Sequence, residues 1–161
     1  MDNIKAIIFD FGGVILNIDY GRTAKAFTEL GVKNFEEMFS QQTADPLFQQ
    51  LEEGKITEIE FYAKFRNITK LELTDNQIKN AWNAMLLNYR NDALQTIKSI
   101  RHKYKLYLLS NTNSIHRKAF QIMYKEEIGD FPIENYFDKT YYSHKIGCRK
   151  PGKDEIGRAH V

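Results

Sequence analysis

The 161-residue chain has room for one core domain with an inserted subdomain, and its 42% hydrophobic and 27% charged residues are typical of soluble globular proteins. Its 23 basic and 21 acidic residues leave a net charge of +2, so the composition indicates neither a nucleic-acid nor a membrane partner. Cys148 is the single cysteine, which excludes an intramolecular disulfide, and no apolar run is long enough to span a bilayer. We therefore expect a cytoplasmic protein, and no obligate protein partner is evident.

The chain begins with a short apolar run, residues 4–9, which predicts a β-strand buried on both faces. This run ends at Asp10, and Gly12 and Gly13 follow directly. Glycines allow a tight turn and let backbone N–H groups approach an anion. Because ligands of open α/β sheets bind at the carboxyl ends of strands, Asp10 is a candidate functional residue. For this motif alone, an ordinary turn with a solvated Asp10 is the alternative.

Residues 17–88 show helical periodicity without a strand signal, which predicts a bundle of four or five helices. Thr57 with Glu60, and Thr74 with Gln77, have the spacing of capping boxes at helix starts. Gly54 is predicted to end a helix. The residues at helical spacing that predict the core of this bundle include Phe61, Phe65 and Trp82.

Two more strands are predicted after this bundle. Residues 105–109 form an apolar run that ends at Ser110 and Asn111, and the more polar residues 137–143 lead into a loop that contains Lys150. One helix is predicted before residue 105 and another through Ile115, Ala119 and Ile122. The alternation of strands and helices predicts an α/β fold built on a parallel sheet with right-handed crossovers.

Each predicted strand brings a polar group to one sheet edge: the Asp10 carboxylate, the Ser110 hydroxyl with the Asn111 amide, and the Lys150 ammonium. Together these groups are suited to phosphoryl transfer, because the carboxylate can attack phosphorus while the others neutralise charge on the oxygens. Taken singly, Ser-Asn is an ordinary helix cap and Lys-Pro an ordinary surface loop. The hypothesis therefore depends on the order and spacing of all three.

In these motifs the chain resembles the haloacid dehalogenase-like (HAD) hydrolases. Residues 9–14 (FDFGGV), 109–112 (LSNT) and 147–151 (GCRKP) resemble the first three motifs of that family. Residues 17–20 and 109–113 look most like the sugar-phosphate phosphatases typified by α-D-glucose-1-phosphate phosphatase. The resemblance implies a three-layer Rossmann-like parallel sheet core at residues 1–16 and 89–155, incomplete at its C-terminus, with an inserted α-helical cap at 17–88.

The resemblance also implies a Mg²⁺-dependent phosphatase that acts on a small phosphorylated metabolite, a sugar phosphate in particular. Asp10 would form an aspartyl-phosphate, Lys150 would balance its charge, and water would then release the phosphate. Asp10 and the backbone carbonyl of Gly12 would bind Mg²⁺. The implied substrate-binding residues are Ser110, Asn111, Lys150 and Gly13.

The chain departs from the family pattern at Gly12, where members usually carry a second Asp that acts as general acid and base. Such assistance contributes roughly 10²–10⁴-fold to a rate, so Gly12 predicts slow turnover or a substrate with a good leaving group, such as a sugar 1-phosphate. Two alternatives remain open. One is a haloacid dehalogenase in which Asp10 attacks carbon without a metal, and the other is a non-catalytic anion-binding protein.

A second departure is that the family's fourth motif, an acidic pair that completes the Mg²⁺ site, does not follow Lys150. Residues 156–161 lack helical or strand periodicity and resemble a translated sequencing adapter. We interpret the chain as a fragment with an artefactual tail at 156–161, with a genuine short protein as the alternative. We expect the 161-residue chain itself to be inactive or nearly so.

Four further polar residues carry weaker predictions. His102 and His116 are predicted on helix surfaces, with substrate contact as the alternative for His116 because it closely follows Ser110. Asp19 and Arg22 are candidates for facing the substrate at the cap entrance. The sequence predicts neither the substrate's identity nor the oligomeric state.

Overall fold

A computed structural model describes residues 4–39 and 46–151. The strands are β1 (Ala6–Phe9), β2 (Leu16–Ile18), β3 (Leu86–Tyr89), β4 (Lys105–Ser110) and β5 (Lys139–Tyr142). The helices are α1 (Tyr20–Glu29), α2 (Phe35–Met38), α3 (Pro46–Glu52), α4 (Glu58–Thr69), α5 (Asp75–Asn83), α6 (Asn91–Ile100), α7 (Ser114–Glu127) and α8 (Ser143–Ile146), with a 3₁₀ helix at Ile133–Tyr136. Within the described ranges, no helix is both long enough and apolar enough to cross a membrane.

A three-stranded parallel sheet in the order β1-β4-β5 forms the base of the molecule, which confirms the predicted α/β fold. Phe9 at the end of β1 lies opposite Leu108 of β4, and Ser110 at the end of β4 lies opposite Tyr142 of β5. Parallel strands need crossover connections, and the segments containing α6 and α7 supply them. The three strands therefore end at one edge of the sheet.

The prediction that the first strand is buried on both faces was wrong for the part of the chain that the structure describes. Ile7 and Phe9 pack against the buried core of the sheet, whereas Ile8 on the opposite face is 44% exposed. Ile4, just before the strand, is 55% exposed. Among the described strands β1 pairs with β4 alone, so it is an edge strand without a neighbouring strand on its other side.

The uninterrupted helical pattern predicted for residues 17–88 was also wrong at both ends of that segment. Leu16–Ile18 and Leu86–Tyr89 form a two-stranded antiparallel ribbon, β2-β3. Both strands are short, so neither gives a period-two pattern that is distinct from helical spacing. The ribbon connects the sheet to the helices α1–α5.

Helices α1–α5 surround a core of their own. Both predicted capping boxes are confirmed. The hydroxyls of Thr57 and Thr74 each accept a bond from the backbone N–H three residues on, and their own backbone N–H groups donate the reciprocal bond to the side-chain oxygens of Glu60 and Gln77. Several aromatic side chains are fully buried in this core. Burying each of them contributes roughly 1.5–3 kcal/mol, so together they dominate the stability of the cap. Its fully buried aromatic residues are Phe27, Phe48, Phe61, Phe65 and Trp82.

A second core lies under the sheet and is built from residues of the strands, α6 and α7. The two cores support the predicted division into a cap at 17–88 and a core at 1–16 and 89–155, which we keep as a proposal. Residues 152–155 of that core and the predicted tail at 156–161 lie outside the described residues.

Candidate active site

The edge where the parallel strands end carries a charged pair. Asp10 follows β1 directly, and its Oδ2 lies 2.9 Å from Nζ of Lys150. The same Nζ donates a hydrogen bond of 3.0 Å to the carbonyl of Leu109 in β4. The other carboxylate oxygen of Asp10 accepts a 2.7 Å bond from the N–H of Phe11. Asp10 therefore presents an oriented carboxylate, half exposed, beside a fixed cation.

Lys150 is positioned by Asn111. The amide oxygen of Asn111 accepts a 2.7 Å bond from the backbone N–H of Lys150, and its Nδ2 donates a 3.1 Å bond to the backbone carbonyl of Lys150. Both ends of the amide are therefore used to attach the Lys150 loop to the end of β4. In this arrangement Asn111 acts on the site chiefly by placing Lys150.

Ser110 at the end of β4 lines the same cavity as Asp10 and Lys150 and is almost fully buried. Its hydroxyl makes one long bond of 3.5 Å to the carbonyl of Asn111, so it is only weakly engaged. Thr112 and Ser143 hold the neighbouring strand ends together: the Thr112 N–H donates to the Ser143 hydroxyl at 2.8 Å, and that hydroxyl donates to the Thr112 carbonyl at 2.7 Å. Ser143 was not singled out from the sequence.

A cavity of about 330 Å³ opens above this edge, between the sheet and the cap. Asp10, Gly12, Ser110, Asn111 and Lys150 all line it, so the structure brings these predicted residues together. On the cap side the wall is largely apolar. The residues of that wall include Ile18, Tyr20, Phe39, Met85 and Leu86.

Three predicted residues lie elsewhere. Gly13 does not line the cavity, and its N–H donates to the carbonyl of Leu16 within the turn. Asp19 caps α1 through a 2.9 Å bond from the Gly21 N–H and lies 3.7 Å from Arg22, and neither charged residue reaches the cavity. Asp19 and Arg22, the candidates at the cap entrance, therefore lie outside the cavity lining, because the start of α1 uses the carboxylate locally.

His116 is buried and lines the cavity, so its predicted surface position was wrong. Its ring stacks on Trp82 at 4.7 Å, and Nε2 lies 3.1 Å from the Trp82 carbonyl. Nδ1 lies 3.1 Å from Nδ2 of Asn113, which can only donate, so the neutral ring carries its proton on Nε2. Burial lowers the pKa of His116 to about 4.

Glu52 and Arg149 also line the cavity and were missed by the sequence reasoning. Glu52 ends α3 of the cap, Arg149 precedes Lys150 in the core, and Arg149 Nε lies 2.8 Å from Glu52 Oε2. Burial raises the pKa of Glu52, and the adjacent Arg149 opposes this shift. In sequence Glu52 looks like one of two solvated acids at a helix end, so no local signal distinguished it.

These features define a capped α/β protein that presents a carboxylate and an ammonium to a small cavity. The chain is 35% identical over 152 residues to D-ribitol-5-phosphate phosphatase of Bacteroides thetaiotaomicron, covering 94% of this chain and 73% of that protein. It therefore belongs to the HAD-like hydrolase superfamily, as the motifs predicted. The finer likeness to α-D-glucose-1-phosphate phosphatase stays a prediction. No protein-family profile matches the chain.

Solved structures agree with this assignment. A HAD family enzyme of Bacteroides thetaiotaomicron, crystallised as a mutant with magnesium and inorganic phosphate, superposes with a TM-score of 0.89 at 36% identity, covering 98% of this chain and 77% of that one. A HAD-like hydrolase of Porphyromonas gingivalis superposes with a TM-score of 0.85 at 30% identity, covering 97% and 74%.

Proposed function

We propose that this protein is a Mg²⁺-dependent phosphatase of a small phosphorylated sugar or sugar alcohol, with Asp10 as nucleophile. The observation that carries the proposal is the 2.9 Å contact between Asp10 and Lys150 beside Ser110, at the sheet edge that faces the cavity. The D-ribitol-5-phosphate phosphatase relative supports the substrate class.

The residues present fit a magnesium ion. Asp10 and Gly12 both line the cavity, and the Gly12 carbonyl accepts no backbone hydrogen bond within the described ranges. Mg²⁺ prefers oxygen ligands and commonly binds through one or two carboxylates plus substrate phosphate and water. When bound, the ion would offset negative charge on the phosphoryl group and orient it.

The protein's own groups have separable roles in this proposal. Oδ2 of Asp10, which lies beside the Lys150 ammonium, attacks phosphorus, while the Phe11 N–H fixes the other carboxylate oxygen. Lys150 and the Ser110 hydroxyl face the phosphoryl oxygens and stabilise their charge as the bond to Asp10 forms. Gly12 offers no proton to the departing oxygen, so we expect slow turnover of a sugar-alcohol phosphate and faster turnover of a sugar 1-phosphate, whose leaving group is better. Water completes the reaction by releasing phosphate from Asp10.

We also propose that the 161-residue chain alone is inactive or nearly so. Among the described residues, no group of three or more His, Cys, Asp or Glu side chains could hold a metal ion. Mg²⁺ would then depend on Asp10, one carbonyl and the substrate, which is a weak site. Turnover by this chain equal to that of the complete gene product would contradict this proposal.

The test is phosphate release by the complete gene product from D-ribitol 5-phosphate and α-D-glucose 1-phosphate, with and without EDTA. We expect release that EDTA and Asp10→Asn both abolish. Halide release from 2-chloropropionate that ignores EDTA would favour the dehalogenase alternative, which the absence of an acid at Gly12 permits. Phosphate binding without turnover of either ester would favour the anion-binding alternative.

A further inference from the structure

A buried ion pair joins the cap to the core at the wall of the cavity. Glu52 lies at the C-terminal end of α3 and is 8% exposed, and the side chain of Arg149 is 23% exposed. Their contact of 2.8 Å spans the boundary between the two hydrophobic cores. Both residues face the same cavity as Asp10 and Lys150.

This pair is incompletely satisfied. Although Arg149 Nε and Glu52 Oε2 are close, the N–H is not directed at the oxygen, and neither atom has a hydrogen bond within the described part of the chain. A buried ion pair repays its desolvation only when its remaining donors and acceptors find partners. A carboxylate and a guanidinium have acceptor and donor capacity to spare. The pair is therefore poorly explained as a purely structural contact.

The surroundings indicate what a partner would be. The cap side of the cavity is mostly apolar. Among the described residues that line it, Glu52 is the charged group contributed by the cap, and Arg149 lies against it from the core. At the sheet edge, Asp10 and Lys150 are assigned to the phosphoryl group by the proposed function. An organic group attached to that phosphate must extend toward the cap, since this is where the cavity continues. Its volume of about 330 Å³ suits a small metabolite.

We propose that Glu52 and Arg149 recognise neighbouring hydroxyl groups on the leaving group of the substrate, and so select phosphorylated polyols over apolar phosphate esters. One hydroxyl donates to the Glu52 carboxylate, and the next accepts from the Arg149 guanidinium. This inference rests on the proposed phosphatase function. A site built to hydrogen-bond hydroxyl groups rejects analogues that lack them, because its buried polar groups are then left unpaired.

The test measures kcat/KM of the complete gene product for D-ribitol 5-phosphate and for n-pentyl phosphate, which has the same carbon chain without hydroxyls. We expect Glu52→Gln to lower the ratio of kcat/KM for D-ribitol 5-phosphate to kcat/KM for n-pentyl phosphate about 10- to 150-fold, the range for the loss of a hydrogen bond to a charged group. The ratio is independent of the fraction of folded enzyme, so a loss of stability does not change it. Glu58→Gln is the matched control, because Glu58 also pairs across the cap–core boundary, with Lys118 at 2.8 Å, but does not line the cavity.

An unchanged ratio in Glu52→Gln, or an equal fall in Glu58→Gln, overturns the inference while the phosphatase proposal stands. The phosphatase proposal is defeated instead if the wild type hydrolyses neither D-ribitol 5-phosphate nor α-D-glucose 1-phosphate. Calorimetric titration with D-ribitol 5-phosphate and with inorganic phosphate then decides the inference separately. The inference is supported if Glu52→Gln binds D-ribitol 5-phosphate more weakly than the wild type does but binds inorganic phosphate equally well. It is overturned if the two proteins bind D-ribitol 5-phosphate equally.

Discussion

Gly54 allows the cap to approach the core where Glu52 meets Arg149, and Gly54→Ala should disrupt that approach. Gly54 follows α3 with φ of +65°, a conformation that glycine adopts freely. A methyl group there would collide with the backbone carbonyl of His144 in α8. Because the obstacle is backbone rather than a flexible side chain, α3 and α8 must move apart to admit it.

The cost has two parts. An alanine in the left-handed region costs about 1–2 kcal/mol. Forcing a methyl into a packed contact costs roughly a further 1–3 kcal/mol. For a protein of this size each 1 kcal/mol lowers Tm by about 2–4 °C, so a total cost of about 2–5 kcal/mol should lower Tm by about 4–20 °C. Thermal unfolding of the 161-residue chain, followed by circular dichroism, measures it.

Gly147→Ala separates the two parts. Gly147 has a comparable φ of +78°, but nothing lies within 4 Å of the position that its Cβ would take. We expect this variant to lose only the conformational part, about 1–2 kcal/mol. Equal losses in both variants would refute the collision and, with it, the close docking of α3 on α8.

Further predictions concern the site and the cap. Lys150→Met in the complete gene product should lower kcat about 10²–10³-fold, because a fixed charge beside Asp10 is lost, and steady-state phosphate release measures it. The folded pKa of His116 is lowered to about 4 from 6.5, so stability should fall as pH drops through that window, by about 2 kcal/mol at pH 5. Urea unfolding at pH 7 and pH 5 checks this. His116→Gln is the control, because it removes the titrating ring but keeps Glu52 with its raised pKa. An equal fall in the stability of this variant between the two pH values would contradict the prediction. Thr57→Ala should cost about 1 kcal/mol through loss of the α4 cap, measured by the same unfolding, and an unchanged midpoint would contradict it.

The convergence of Asp10, Ser110 and Lys150 could be predicted from the sequence because it follows from topology. Each group comes after a predicted strand, and parallel strands end at one edge of a sheet. The position of His116 could have been found as well, since it lies four residues before Phe120 and eight before Tyr124, both buried on α7. Ile122, on which the helix prediction relied, is instead 60% exposed.

The sequence alone determined the two capping boxes, the three strands of the parallel sheet and the carboxylate at the end of the first strand. These are local patterns or direct consequences of chain connectivity. Only the tertiary structure decided that Glu52 meets Arg149 and that the His116 ring stacks on Trp82. Each depends on how the cap docks on the core, and that geometry arises from packing between segments distant in the chain, which no local pattern of residues records.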